Sequence, residues 1–162
     1  SLVLLACQKG VTREALMFTP ESLADRQLQT RVFETDNEGK LLEASAGVLQ
    51  DLGFTIDESE VRCGVIVCSK DRDVIEIYDV GLSIIASIFF IDYEYATRQK
   101  VLASLVTRPL GGKKIAVRIT FQHLVWDTQK DLIKNERIND PYIYQKFFSK
   151  LSKSVFLTAQ EI

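Results

Sequence analysis

Apolar and polar residues alternate most clearly between Lys114 and Trp126, in the second half of the chain. One set of alternate positions is apolar and comprises Ile115, Val117, Ile119 and Phe121; the other comprises Ala116, Arg118, Thr120 and Gln122. A period of two residues is typical of a strand with one buried and one solvated face. Shorter segments of the same kind predict strands over residues 27–34, 55–59, 64–69, 100–107 and 132–138. Turns are predicted around residues 60–62 and in the Pro- and Gly-containing segment 108–113.

Helical periodicity appears in two places. The first stripe consists of Leu41, Leu42, Val48, Leu49 and Leu52. Thr35 and Glu38 have the spacing of a capping box at its start, and Asp36 is an alternative N-cap. Gly53 is expected to end this helix in a left-handed conformation, with Phe54 folding back on Leu49 as in a Schellman motif.

The second helix is predicted to begin at Pro141, with Asp140 as its cap. Its apolar stripe consists of Tyr144, Phe147, Phe148, Leu151 and Val155. The resulting order is β-α-β-β-(α)-β-β-β-α. Runs of antiparallel strands with helices laid on one face predict an α+β fold, a two-layer sandwich.

The segment between residues 80 and 91 is almost entirely apolar and is interrupted only by Ser83 and Ser87 among polar side chains. A helix of this length spans about 18 Å, too short for a bilayer core of about 30 Å. Three interpretations stay open: a buried helix over the sheet, a buried strand, or a segment that enters a membrane or its interface in an oligomer. The candidate partner or membrane contacts are Val80, Leu82, Ile84, Ile85, Ile88, Phe89 and Phe90.

Composition places this chain among ordinary globular proteins. It has 162 residues, 46% of them hydrophobic and 26% charged, with a net charge of −2. The absence of a basic excess argues against nucleic acid as a partner.

Candidate chemistry is sparse. His123, the single histidine, is expected to be a hydrogen-bonded structural residue on the inward face of its strand. Cys63 and Cys68 are five residues apart in one predicted strand, so a disulfide between them is not expected, and we predict two small buried thiols. No metal-ligand spacing, cofactor motif or catalytic set is recognised, and a non-enzymatic protein is predicted.

The chain begins Ser-Leu-Val-Leu-Leu-Ala-Cys, an apolar run that ends at Cys7. This run resembles the lipobox at the end of a bacterial lipoprotein signal peptide, with Leu4 and Ala6 at the positions that the signal peptidase reads. The resemblance implies that Cys7 is acylated and that residues 1–6 are the remainder of the signal peptide. Residues 7–25 then form the lipidated cysteine and a tether, and residues 26–162 form one α+β domain. The alternative is that residues 2–6 begin an ordinary buried strand or helix and that Cys7 is a buried thiol.

Four further segments carry a second resemblance. They are Arg26-Gln-Leu-Gln-Thr-Arg31, Val48-Leu-Gln-Asp-Leu-Gly-Phe-Thr-Ile56, Gly64-Val-Ile-Val-Cys-Ser-Lys70 and the stretch from Asp140 to Leu157. Together they resemble an uncharacterised group of proteobacterial lipoproteins and the helix-grip domains of lipoprotein C of the outer-membrane β-barrel assembly machine. These motifs are structural, so no site residue is carried over.

The two resemblances imply a periplasm-facing lipoprotein of the outer membrane that is a scaffold or adaptor of an envelope assembly or secretion complex. Its partners would be the membrane, through N-terminal acyl chains, and envelope proteins. Two alternatives are a binder of a lipid or hydrophobic peptide in a cavity between sheet and helix, and a subunit that inserts into a membrane through residues 80–91.

Overall fold

A computed structural model describes residues 20–71 and 96–160. Within them lie three α-helices, six strands and a short 3-10 turn at Val61–Cys63. The helices are α1 (Pro20–Gln29), α2 (Glu38–Asp51) and α3 (Pro141–Gln160). The strands are β1 (Thr30–Phe33), β2 (Thr55–Glu60), β3 (Val65–Asp71), β4 (Ala96–Gly111), β5 (Lys114–Asp127) and β6 (Leu132–Ile138). All strand pairs are antiparallel, so the predicted α+β class with an antiparallel sheet is confirmed.

Strand β5 organises the sheet. The strand order is β1-β5-β4-β3-β2, and β6 also pairs with β5. Because β4 occupies one side of β5 along its length, β1 and β6 follow each other along the opposite side. Strand β1 begins with Thr30 opposite Arg118, and β6 ends with Ile138 opposite Phe121. Ile119 and Thr120 therefore mark a gap in the edge between the two short strands.

The core lies on one face of this sheet, under α2 and α3. Alternate residues of β4 and β5 that face the helices are fully buried, including Leu105, Ile119 and Phe121. The Phe121 ring lies 5.5 Å from the ring of Tyr144 and 6.0 Å from that of Phe54, measured between centroids. Burial of such aromatic side chains contributes most of the driving force for docking a helix on a sheet.

Both ends of α2 are fixed by local hydrogen bonds. Asn37 is the N-cap, and its side chain accepts a hydrogen bond from the Lys40 amide at 3.0 Å. The predicted caps, Thr35 and Asp36, are therefore wrong by one or two positions. Thr35 instead accepts a hydrogen bond from the Asn37 amide through its hydroxyl oxygen at 3.1 Å.

The C-terminus of α2 is the predicted Schellman motif. Gly53 has φ 84°, its amide donates to the Gln50 carbonyl at 2.8 Å, and the Phe54 amide donates to the Leu49 carbonyl at 3.0 Å. The prediction for this end of the helix is confirmed.

Three local predictions differ from the structure. The strand predicted over residues 27–34 begins only at Thr30, because helix α1 runs through residues 20–29 and joins it directly. The predicted loop 108–113 is a tight turn, since β4 continues to Gly111 and β5 begins at Lys114. Cys63 is exposed in the 3-10 turn that precedes β3, whereas Cys68 is buried; neither forms a disulfide. The prediction that both thiols are buried in one strand was wrong for Cys63.

Candidate functional site

A pocket of about 490 Å³ opens on the face of the sheet opposite α2 and α3. Its described lining consists of Arg26, Thr30, Ser104, Val106, Arg108, Ala116, Arg118, Thr120 and Arg137. The volume is in the range of about 300–1,000 Å³ that is usual for small-molecule sites. Four arginines in one pocket of a chain with net charge −2 make it a local concentration of positive charge.

The gap in the sheet edge brings three of these arginines together. Arg118 lies on β5 beside the gap, Arg137 stands at the end of β6, and Arg26 belongs to α1, which leads into β1. The end of β6 is also tied to α1, because the Asn139 side-chain amide donates to the Asp25 carboxylate at 3.2 Å. The pocket therefore depends on the two short strands sharing one side of β5.

Arg118 is the residue around which this pocket is built. Its Nη2 donates to Oε1 of the buried Gln29 at 3.4 Å, which connects the guanidinium to the end of α1. Its Nε is also buried and has no hydrogen-bond partner within the described ranges. Burial, followed by the positive charges of Arg26 and Arg137, lowers the pKa of Arg118.

No carboxylate in residues 20–71 and 96–160 forms an ion pair with Arg108, Arg118 or Arg137. Clustered like charges and a buried donor without a partner both destabilise a fold, the donor by about 1–3 kcal/mol. An oxyanion would relieve both, because a guanidinium presents a planar fork of donors that matches carboxylate and phosphate oxygens. The hydroxyls of Thr30, Ser104 and Thr120 add neutral donors and acceptors to the same walls.

His123 lies away from this pocket, on the core face of β5. It is 3% exposed, and its Nε2 is 2.9 Å from Oε1 of the buried Gln99. The predicted inward position is therefore confirmed. Burial and, to a lesser extent, the charge of Lys134 lower the pKa of His123, while Glu136 acts in the opposite direction.

This lowered pKa predicts a pH-dependent loss of stability. Unfolded His123 takes up a proton near its ordinary pKa of about 6.5, whereas the folded protein resists protonation until a lower pH. The contribution is thus fully present above about pH 6.5 and is lost as the pH falls through the folded pKa, with a slope of at most about 1.4 kcal/mol per pH unit. Urea unfolding at about pH 7.5 and about pH 5 measures the change. The loss is expected to be smaller in His123→Gln, and equal losses in both proteins would contradict this assignment.

Two other titratable groups, Cys68 and Lys70, are buried within the fold. Burial, with a smaller contribution from Asp57, raises the pKa of Cys68 to about 12, so the thiol stays protonated and unreactive at neutral pH. Lys70 is buried on the core face of β3, and its Nζ donates to the Leu52 carbonyl at 2.9 Å. This carbonyl lies at the C-terminus of α2, where a positive charge is favourable, although burial lowers the pKa of Lys70.

The site residues predicted from the sequence, Cys7 and the seven apolar residues between Val80 and Phe90, lie outside the described residues, so these predictions stay open. None of the helices in the described ranges combines the length and the apolar content needed to cross a bilayer. The same ranges contain no group of three histidine, cysteine or carboxylate side chains placed to hold a metal ion. The cavity predicted from the sequence was apolar and lay between the sheet and a helix. The pocket described above is lined by arginines and lies on the opposite face of the sheet.

Sequence reasoning missed the arginines. Alternation placed Arg118 and Thr120 on one face, but that face was expected to be solvated, whereas both residues are only partly exposed. Arg26, Arg108 and Arg137 belong to other elements, and nothing local in the sequence connects them. The only available signal was the absence of acidic residues from the polar positions of residues 114–126.

No protein family model matches this chain, and no curated protein sequence matches it either.

Proposed function

We propose that the domain is a binding module that recognises an anionic small molecule in the arginine-lined pocket. One observation carries this proposal: the Arg118 guanidinium lies among other arginines with a buried Nε that has no partner within the described ranges. A group held in such surroundings without a neutralising partner is typical of a functional site. The lining supplies donors for an oxyanion, and the module is proposed to bind without transforming its ligand.

The proposal predicts that Arg118 opposes stability in the free protein and supports it in the bound protein. Removing its charge relieves the repulsion by Arg26 and Arg137, so Arg118→Gln is expected to unfold at the same temperature as the native sequence or higher without ligand. Pyrophosphate or citrate at 100 times its Kd should stabilise the native protein by about 2.7 kcal/mol. Arg118→Gln should lose about 100-fold in affinity, the effect of about two charge-assisted hydrogen bonds. Thermal unfolding at constant ionic strength measures both effects.

Lys153→Gln is the matched control. Lys153 is exposed on α3, on the other side of the sheet, and its substitution removes the same single charge. It should leave anion binding unchanged. An equal loss of affinity in Lys153→Gln, or no stabilisation of the native protein by either anion, would contradict the proposal.

A lipid-anchored adaptor of an envelope complex, with a helix-grip-like domain, is a second proposal. It rests on the Leu-Leu-Ala-Cys sequence that ends at Cys7 and on the segment resemblances. Acyl chains contribute about 0.8 kcal/mol per buried CH₂, and more than one chain makes anchoring stable. The intact mass of protein purified from its native membrane is expected to correspond to an acylated chain that begins at Cys7. An unmodified chain that retains residues 1–6 would contradict this anchor and leave the anion-binding proposal unaffected.

A further inference from the structure

The four arginines of the pocket fall into two groups. Arg26 and Arg137 lie close enough to Arg118 for their charges to affect it. Arg108 lies at the end of the lining away from Arg137, because its strand partner Ala116 is six residues along β5 from Gln122, the partner of Arg137. In the sheet, Arg118 faces Val106 and Arg108 faces Ala116, so the two arginines are diagonal neighbours with Cα atoms about 7–8 Å apart.

The group of three suits a multiply charged oxyanion. A phosphate monoester carries a charge of about −1.5 to −2 and three strong acceptor oxygens at neutral pH. A carboxylate has only two oxygens and a single charge, and one bidentate arginine is enough to satisfy it. Three guanidinium groups together offer more donors than one carboxylate accepts, so Arg26, Arg118 and Arg137 suit a phosphate better.

The space between Arg108 and the other three arginines is lined by uncharged residues. Val106 and Ala116 lie there on the open face, and the hydroxyls of Ser104 and Thr120 follow on the other side of Arg118, toward the gap in the sheet edge. A cavity of about 490 Å³ also exceeds what a single inorganic oxyanion fills. The body of a ligand, with hydroxyl groups or a short carbon chain, fits these walls.

We infer that the ligand is a phosphorylated small molecule with a second acidic group, whose phosphate binds Arg26, Arg118 and Arg137 while its second anion binds Arg108. This inference rests on the proposed function, because it names the substance that the same pocket recognises. Arg108 is then the residue that distinguishes doubly from singly anionic ligands.

Two pairs of probes test the inference by calorimetry on the full chain at constant ionic strength. Fructose 6-phosphate and fructose 1,6-bisphosphate differ by one phosphate, and glycerol 3-phosphate and 3-phosphoglycerate differ by one carboxylate. In at least one pair the doubly anionic member is expected to bind tenfold or more tightly. Arg108→Gln should abolish this ratio and leave the Kd of the singly anionic member within about twofold, because Arg108 is exposed and its substitution leaves the group of three intact.

Arg137→Gln provides the complementary variant and should weaken both members of a pair by a similar factor. Lys153→Gln, on the helix face, should change neither. Equal affinities within both pairs, or a loss in Arg108→Gln that is the same for both members, would overturn the inference while anion binding itself stands. If pyrophosphate, citrate and all four phosphorylated probes fail to bind, the proposed function fails as well.

Discussion

Replacing Phe121 with alanine is expected to lower the free energy of unfolding by about 4 kcal/mol. Phe121 is 1% exposed, and its ring contacts those of Phe54, Tyr144 and Phe147 at centroid distances of 5.5–6.4 Å. These contacts connect β5 to the end of α2 and to α3, so truncation leaves a cavity where three elements meet. For a domain of this length the midpoint of thermal unfolding should fall by about 8–16 °C.

Phe156→Ala is the control for this substitution. Phe156 lies on α3 but is 61% exposed, so the same loss of atoms creates no cavity. Its effect is expected to stay within about 0.5 kcal/mol. Urea unfolding of the two variants measures the difference, and a loss below about 1 kcal/mol for Phe121→Ala would mean that α3 is not docked on β5 as described.

Gly64→Ala is expected to destabilise the protein by about 3 kcal/mol, through two independent effects. Gly64 has φ 64°, a left-handed conformation that costs about 1–2 kcal/mol for other residues. A Cβ at this position would also overlap Thr107 Oγ1 and lie 2.8 Å from Glu38 Oε1. The Thr107 hydroxyl donates to Glu38 there, so the added methyl group displaces the hydrogen bond that connects β4 to the start of α2.

Two other glycines separate these effects. Gly112 has φ 60°, but no atom lies within 4 Å of the position that an added methyl group would take, so Gly112→Ala should show the conformational cost alone, about 1–2 kcal/mol. Gly47 lies inside α2 with equally open surroundings, and Gly47→Ala should stabilise by about 0.5–1 kcal/mol. Thermal unfolding of the three variants is expected to rank Gly64→Ala lowest. If Gly64→Ala costs no more than Gly112→Ala, the close approach of Thr107 contributes nothing.

Sequence patterns predicted several helices and strands correctly because the residues that determine these elements lie within them. The alternation along residues 114–126 reflects a strand with one face in the core, and the Leu-Gly-Phe sequence at 52–54 contains everything that a Schellman motif requires. Even the error at the start of α2 was small, since Thr35, Asp36 and Asn37 are all competent caps and the helix begins after the last of them.

Local sequence patterns did not predict the pocket, because it depends on which strands pair with β5. In the sequence, Arg118 is one of several polar residues on one face of a strand, and only the register of β1 and β6 places it beside a gap. Only then does the gap beside Thr120 appear, and only then do Arg26 and Arg137 meet there. Helix α1 was missed for a related reason, because its contacts with β1, β5 and α3 outweigh the weak periodicity of residues 20–29.

Strands β1 and β6 pair with the same side of β5, and this arrangement determines when the pocket can form during protein synthesis. Strand β1 lies near the start of the described chain, yet its partner residues on β5 follow only after all of α2, β2, β3 and β4. Pairings between distant segments are slow to form, and a growing chain cannot make them until both segments have left the ribosome. The arginine-lined pocket therefore cannot form until Arg137 has left the ribosome, after α2 and the first five strands.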